Sequence, residues 1–261
     1  MLDNYRTALV TGASRGIGEA FARQLAALGK NLVLVSRSED QLQSLAGELS
    51  SQFGVQVHVI TVDLAQPSAA VSLYRQVEAL GVEVDLLVNN AGYSRAGEFT
   101  ELGFDAQADM VRLNVNTLVE LTHLYLPAMR ARGRGAVLNV ASNAAFQPVP
   151  RMAVYAATKA FVLSFSEAVA EEVRGDGVRV MALCPGATDT EFWNVAGVWE
   201  ERRASMPSPD EVVDAGLRAF ERGRSFFVPG LMNQIVAFFS RRVLPRWLVV
   251  RFACQWLGDR R

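Results

Sequence analysis

Short apolar runs that alternate with helical runs restrict this chain more than any other feature. "RTALV", "NLVLV", "VQVHVIT", "VDLLVNN", "GAVLNVAS", "VRVMALCPG" and "SFFVPG" read as strands. Between them lie "GEAFARQLAALG", "EDQLQSLAGELSSQ", "PSAAVSLYRQVEAL", a longer zone at about 104–132, the stretch Met152 to Arg174, and "EVVDAGLRAFERG", all with helical spacing. A strand such as "NLVLV" has no polar face, so it must be covered on both sides, which is the condition of a parallel sheet. Strand–helix alternation with short connections builds right-handed βαβ units. The expected fold is α/β, a doubly wound parallel sheet of about seven strands with helices on both faces, in a single domain over residues 1–230. Residues 231–261 form a separate C-terminal extension. Pro127 falls inside the 104–132 zone and is expected to end or kink that helix.

Composition narrows the partners. Of 261 residues 50% are hydrophobic, enough for a large core, and the formal net charge of −1 offers no basic footprint for nucleic acid. Cys184 and Cys254 have no CxxC neighbour, and the histidines are only His58 and His123, so neither a metal site nor a disulfide framework is expected. "MLDNYRTALV" lacks the basic start and apolar run of a secretory leader, which leaves the cytoplasm as the default location.

"ALVTGASRGIGEAF" puts Gly12, Gly16 and Gly18 between the first strand and the first helix. Glycines allow a tight turn and a close approach of backbone to a ligand, and the helix N-terminus offers unpaired N–H groups to a pyrophosphate. The context is that of a Rossmann-type dinucleotide site; the bland alternative is a glycine-rich turn without ligand. The second strand ends "VLVSRSED", where an acid would hold a ribose 2′-hydroxyl and an arginine a 2′-phosphate. Ser36 and Arg37 stand there, with Arg15 in the glycine turn, so NADP(H) is favoured over NAD(H) unless both arginines are merely solvated. Glu39 and Asp40 read as first-turn helix residues.

Tyr155 and Lys159 lie four residues apart, on one helical face. An ammonium at about 4 Å would favour a phenolate by roughly 1–4 kcal/mol and so bring a phenol of pKa about 10 toward use as an acid and base. Ser142, at the end of "GAVLNVAS", is placed to hydrogen-bond a substrate oxygen. On spacing alone the pair is equally compatible with a solvated helix face.

Taken in order, "TGASRGIG", "VDL" at 62–64, "NNAG" at 89–92, Asn114, Ser142, "YAATK" at 155–159 and "PG" at 185–186 resemble the short-chain dehydrogenase/reductase family over nearly the whole chain. The resemblance implies a proton donor or acceptor at Tyr155. It implies that Lys159 lowers the phenol pKa and holds the nicotinamide ribose, that Ser142 orients the carbonyl, and that Asn114 helps hold a relay water next to Lys159. It implies cofactor contacts at Gly12, Ser14, Arg15, Gly16, Ile17, Gly18, Arg37, Asp63, Leu64, Asn90, Ala91, Gly92, Tyr155, Lys159, Pro185, Gly186, Thr188 and Thr190. The expected reaction interconverts a ketone or aldehyde with an alcohol, on an apolar small molecule, in a homodimer or homotetramer. The rival reading is a non-catalytic dinucleotide sensor or scaffold on the same fold. "YAATKAFVLSFSEAVAEEV" and "SPDEVVDAGLRAFERGR" resemble bacterial members loosely related to steroid and long-chain 3-ketoacyl reductases.

Around the site, Phe192, Trp193 and Trp199, in a substrate loop at about 188–210, either line an apolar pocket or cover the core. Tyr93, Phe146 and Gln147 are further pocket candidates. His123 is expected in the core or an interface, and Cys184 as a buried strand residue. The 231–261 segment mixes apolar aromatics with six arginines and one acid. It has three open readings: packing on its own domain, joining subunits, or peripheral contact with a membrane surface.

Overall fold

The computed structural model describes residues 2–192 and 206–256. Trp193 and Trp199, and most of the expected substrate loop, lie outside them. Seven strands form one sheet: β1 (Thr7–Thr11), β2 (Asn31–Ser36), β3 (Val57–Thr61), β4 (Leu86–Asn89), β5 (Gly135–Val140), β6 (Val178–Leu183) and β7 (Phe226–Phe227). Their order is β3-β2-β1-β4-β5-β6-β7, and each neighbouring pair is parallel. β1, β4 and β5 are buried along their full length, as expected of strands with no polar face.

Among the described residues the α-helices are α1 (Gly16–Ala27), α2 (Glu39–Phe53), α3 (Ala69–Ala79), α4 (Phe104–Val111), α5 (Leu118–Ala131), α6 (Ala153–Glu172), α7 (Pro209–Glu221), α8 (Leu231–Arg242) and α9 (Arg246–Trp256). They cover both faces. One core layer joins Phe21, Leu25, Leu42, Leu49 and Phe220 to β1 and β2. The other joins Leu73, Leu121, Tyr125 and Met129 to the opposite face. Because β1 pairs with both β2 and β4, chain direction across the sheet reverses between β1 and β4, and the crevice at the carboxyl ends of these strands is where an open α/β sheet binds ligand.

One local expectation is corrected. Helix α5 neither ends nor breaks at Pro127; it runs on to Ala131. Pro127 is exposed, and α5 carries it in its interior at the cost of one backbone hydrogen bond. The irregularity of the 104–132 zone lies instead at Arg112–Thr117, a π-helical segment between α4 and α5 that carries Asn114. His123 is exposed on α5 rather than in the core, and Cys184 is buried just beyond the end of β6.

α6 is long and apolar enough to cross a membrane by length and composition. Here its apolar residues cover the sheet, and the buried side includes Tyr155, Thr158, Lys159, Val162 and Ser166. A buried polar chain ties this helix down. Asn89 Nδ2 donates to Asn139 Oδ1 at 2.9 Å, Asn139 Nδ2 donates to Ser166 Oγ at 2.9 Å, and Ser166 Oγ donates to the Val162 carbonyl at 2.7 Å. The chain links β4 and β5 to α6 and so fixes α6 against the strands, although Asn89 Oδ1 stays buried without a partner among the described residues.

Candidate active site

One cavity of about 1270 Å³ opens at the carboxyl ends of the strands. That exceeds the ~1,000 Å³ upper range for a single drug-sized ligand and leaves room for a dinucleotide and a substrate together. Its dinucleotide end is built from the glycine turn. Gly12 and Gly16 have φ of +66° and +59°, a region that side-chained residues rarely enter. A Cβ at Gly12 would come 2.9 Å from Asn90 Nδ2, and one at Gly18 would collide with the Gly12 carbonyl. The turn is stapled to the end of β4: Asn90 Nδ2 donates to the Thr11 and Gly12 carbonyls at 2.9 and 3.2 Å, and Thr11 Oγ1 accepts from the Asn90 and Ala91 N–H groups. Arg15, the N-cap of α1, supplies no side-chain cap, so first-turn N–H groups stay available to a phosphate. A backbone-only cradle at an uncapped helix end fits a pyrophosphate.

Every residue expected to contact cofactor lines this cavity except Gly18, which packs inside the turn. Asp63 accepts from the Ala65 N–H at 3.1 Å and from Gln66 Nε2 at 3.3 Å, and Thr117 Oγ1 donates to the Leu64 carbonyl at 2.7 Å. Ser36, Arg37, Ser38 and Gln41 line the corner beyond β2, with no carboxylate among them. Glu39 and Asp40 sit in the first turn of α2, as expected. Arg37 is exposed. Arg15 was expected to grip phosphate beside it, but its Nη1 pairs with Glu191 Oε2 at 3.0 Å.

At the other end, Ser142 caps a 3₁₀ turn (Asn143–Phe146), its Oγ accepting from the Ala144 N–H at 3.1 Å. The same hydroxyl neighbours the Tyr155 phenol and acts to lower its pKa. Tyr155 is 8% exposed, and the Phe192 ring packs on it at 5.5 Å between centroids. Lys159 Nζ donates to the Val140 carbonyl at 2.7 Å and lies 5.8 Å from the Tyr155 ring centroid.

Burial dominates the electrostatics. It pushes the Tyr155 phenol up to about 12, opposed by the neighbouring Ser142 hydroxyl. Burial pushes Lys159 down to about 8. The Lys159 ammonium is held on the Val140 carbonyl, and burial is the larger influence on the phenol.

Asn114 is 1% exposed and does not line the cavity. Its Oδ1 accepts from the Tyr93 N–H at 3.1 Å, and its Nδ2 donates to the Tyr93 carbonyl and to Thr158 Oγ1, each at 3.1 Å. Thr158 Oγ1 donates in turn to the Tyr155 carbonyl at 2.7 Å. The Asn114 side chain is thus occupied in bracing the Gly92–Tyr93 loop against α6. A Cβ on Gly92 would lie 2.9 Å from Asn114 Oδ1, so this brace needs glycine there.

Of the pocket candidates, Tyr93, Gln147 and Phe192 line the cavity. Phe146 does not: it is buried against Phe226 at 6.2 Å between centroids. Sequence reasoning missed the far wall, made by Met232, Ile235, Val236, Phe239, Leu244 and Phe252 of the C-terminal segment. Its signal was present as an apolar face, but such a face does not say whether it meets a core, a partner or a ligand. Here α8 and α9 are anchored by Ala237, Val249 and Ala253, all buried, and by the Ser240–Gln147 hydrogen bond at 3.0 Å.

Comparison with known proteins follows this geometry. A family model described as short chain dehydrogenase matches residues 6–201. The human very-long-chain 3-oxoacyl-CoA reductase is 31% identical over 255 residues, which cover 94% of this chain and 77% of that protein. The solved structure of a 7β-hydroxysteroid dehydrogenase is 29% identical, with a TM-score of 0.87 over 96% of this chain and 98% of that one. A short-chain dehydrogenase from Sphingobium yanoikuyae in complex with NADPH is 33% identical, with a TM-score of 0.82 over 98% and 96% of the two chains. Glycine cradle, parallel sheet, Ser142, Tyr155 and Lys159 therefore belong together: this chain is a member of the short-chain dehydrogenase/reductase family of oxidoreductases.

Proposed function

We propose that this chain interconverts an apolar ketone or aldehyde with its alcohol, using NADP(H), with Tyr155 as general acid and base. The observation that carries the reading is that Ser142, Tyr155 and Lys159 line one cavity that has a phosphate cradle at one end and an apolar wall at the other. A nicotinamide dinucleotide, when bound, supplies or accepts the hydride. Gly12, Gly16 and the first turn of α1 would hold its pyrophosphate, Asp63 and Leu64 its adenine, and Asn90, Ala91, Gly92, Pro185, Gly186, Thr188 and Thr190 the nicotinamide half.

The chain's own residues do the rest. In reduction, the Ser142 hydroxyl donates to the substrate carbonyl and holds it beside the phenol. As the carbonyl carbon gains a hydride, its oxygen takes the Tyr155 proton, so ketone, hydride and proton give the alcohol and a phenolate. A phenol with a raised pKa is kept protonated across the physiological range, which suits it to donate. The Lys159 ammonium stabilises the phenolate as it forms, and solvent restores the proton. Asn114 positions Tyr155 through Thr158. Phe192 shields the phenol.

Support for the phosphorylated cofactor is the corner beyond β2, lined by Ser36 and Arg37 without an acid, and the Sphingobium relative described with NADPH. Support for an apolar substrate is the α8–α9 wall. The test is Tyr155→Phe. Cofactor binding is expected to persist, while ketone reduction falls by ~10²–10⁴-fold. Turnover equal to that of the wild type would remove Tyr155 from the chemistry.

A further inference from the structure

The wall that α8 and α9 give the substrate chamber is mostly apolar. Ser240 lies on α8 among Val236, Phe239 and Leu244, and Gln147 follows the 3₁₀ turn that begins at Ser142; both line the cavity. Ser240 Oγ donates to Gln147 Oε1 at 3.0 Å. With its oxygen taken, the Gln147 amide nitrogen has two donor hydrogens and no hydrogen-bond partner among the described residues. Asn143, in the same wall, has a buried Oδ1 that also has no partner. Polar groups in an apolar chamber lose free energy unless something in the chamber bonds them.

We propose that Gln147, oriented by Ser240, is a second polar subsite that reads an acceptor oxygen of the substrate other than the carbonyl that reacts. The inference rests on the oxidoreductase reading above for what the chamber holds. The ligand chemistry is an apolar body with two oxygen functions, one reacting at Tyr155 and one accepting from the Gln147 amide. An extended acyl chain with an ester-type carbonyl has this chemistry, and so does a rigid polycyclic skeleton with a second carbonyl or hydroxyl. The subsite also gives the C-terminal segment a role in recognition, because Ser240 comes from α8 while Gln147 comes from the loop of the catalytic strand.

The experiment compares matched probes. One pair is a long-chain β-keto ester and the ketone of equal length with methylenes in place of the ester. The other is a polycyclic diketone and its mono-ketone. Dissociation constants are measured by calorimetry in the presence of oxidised dinucleotide, so that binding is read without turnover. In the wild type, the oxygen-bearing member of at least one pair is expected to bind about tenfold tighter, the worth of one good hydrogen bond. The pair that shows it identifies the source of the chemistry. In Gln147→Leu the ratio is expected to fall toward one, and in Ser240→Ala, which leaves the amide free to turn, to fall part of the way. Equal binding within both pairs in the wild type, or a ratio that survives Gln147→Leu, overturns the proposal. Turnover is followed separately: its absence with an intact, Gln147-dependent ratio supports the subsite and counts against the redox reading alone.

Discussion

Lys159 Nζ lies 2.7 Å from the Val140 carbonyl oxygen and 5.8 Å from the centre of the Tyr155 ring. The lysine is therefore tied to the end of β5 while its charge stays over the Tyr155 ring. Tyr155 and Lys159 are both buried, yet burial moves them in opposite directions, because one is charged when it loses a proton and the other when it keeps one.

The pH dependence follows from those directions. Lys159 loses its charge as pH rises through about 8, while Tyr155, at about 12, keeps its proton. Ketone reduction is expected to be flat below about pH 8 and to decline above it, as the phenolate loses its ammonium partner. Alcohol oxidation, which needs Tyr155 as a base, is expected to keep rising with pH. Folding stability shifts as well. The folded pKa of Lys159 lies below its ordinary 10.5, so the unfolded chain binds more protons between about 8 and 10.5, and stability gains with pH across that window. Kcat/KM profiles in both directions check the first point, and oxidation that falls above pH 8 contradicts it.

Cofactor choice is expected to rest on Arg37 more than on Arg15. Arg15 already shares its charge with Glu191, whereas Arg37 makes no ion pair among the described residues. Arg37→Glu should reduce the preference for NADPH over NADH by about 10–100-fold, in keeping with the roughly 1.5–3 kcal/mol of a hydrogen bond to a charged group. Arg15→Ala should cost less. Dissociation constants for both nucleotides decide it; a wild type that prefers NADH tenfold would refute the assignment of both arginines.

Asn139→Leu should destabilise the fold by about 2 kcal/mol, because Asn89 Nδ2 and Ser166 Oγ each lose one of two hydrogen bonds inside the core and keep only those to Thr122 Oγ1 and the Val162 carbonyl. Urea unfolding reads the change directly. An unaltered midpoint would mean that the polar chain from β4 to α6 contributes nothing net.

What the sequence disclosed depended on which forces are local. The parallel sheet was legible because strands such as "NLVLV" leave no face for water, and the glycine turn because Gly12 and Gly16 occupy left-handed backbone. The π-helical segment around Asn114 was not, since a one-residue change in hydrogen-bond register leaves the apolar spacing almost intact. The direction of the Tyr155 shift was hidden as well. Spacing placed the lysine one turn away, but burial and the pull of the Val140 carbonyl are set by β5, far from α6 in sequence. Phe146 and Phe192 looked alike in sequence, yet one faces Phe226 in the core and the other faces Tyr155.

The far wall formed by α8 and α9 separates choice from chemistry. Ser142, Tyr155 and Lys159 come from just beyond β5 and from α6, while residues 231–256 supply an apolar part of the surface against which a substrate would be sorted. A chimera that keeps the sheet and exchanges this helical pair would retain its reactive centre and acquire a different appetite, which makes the segment a handle for redirecting the enzyme without rebuilding it.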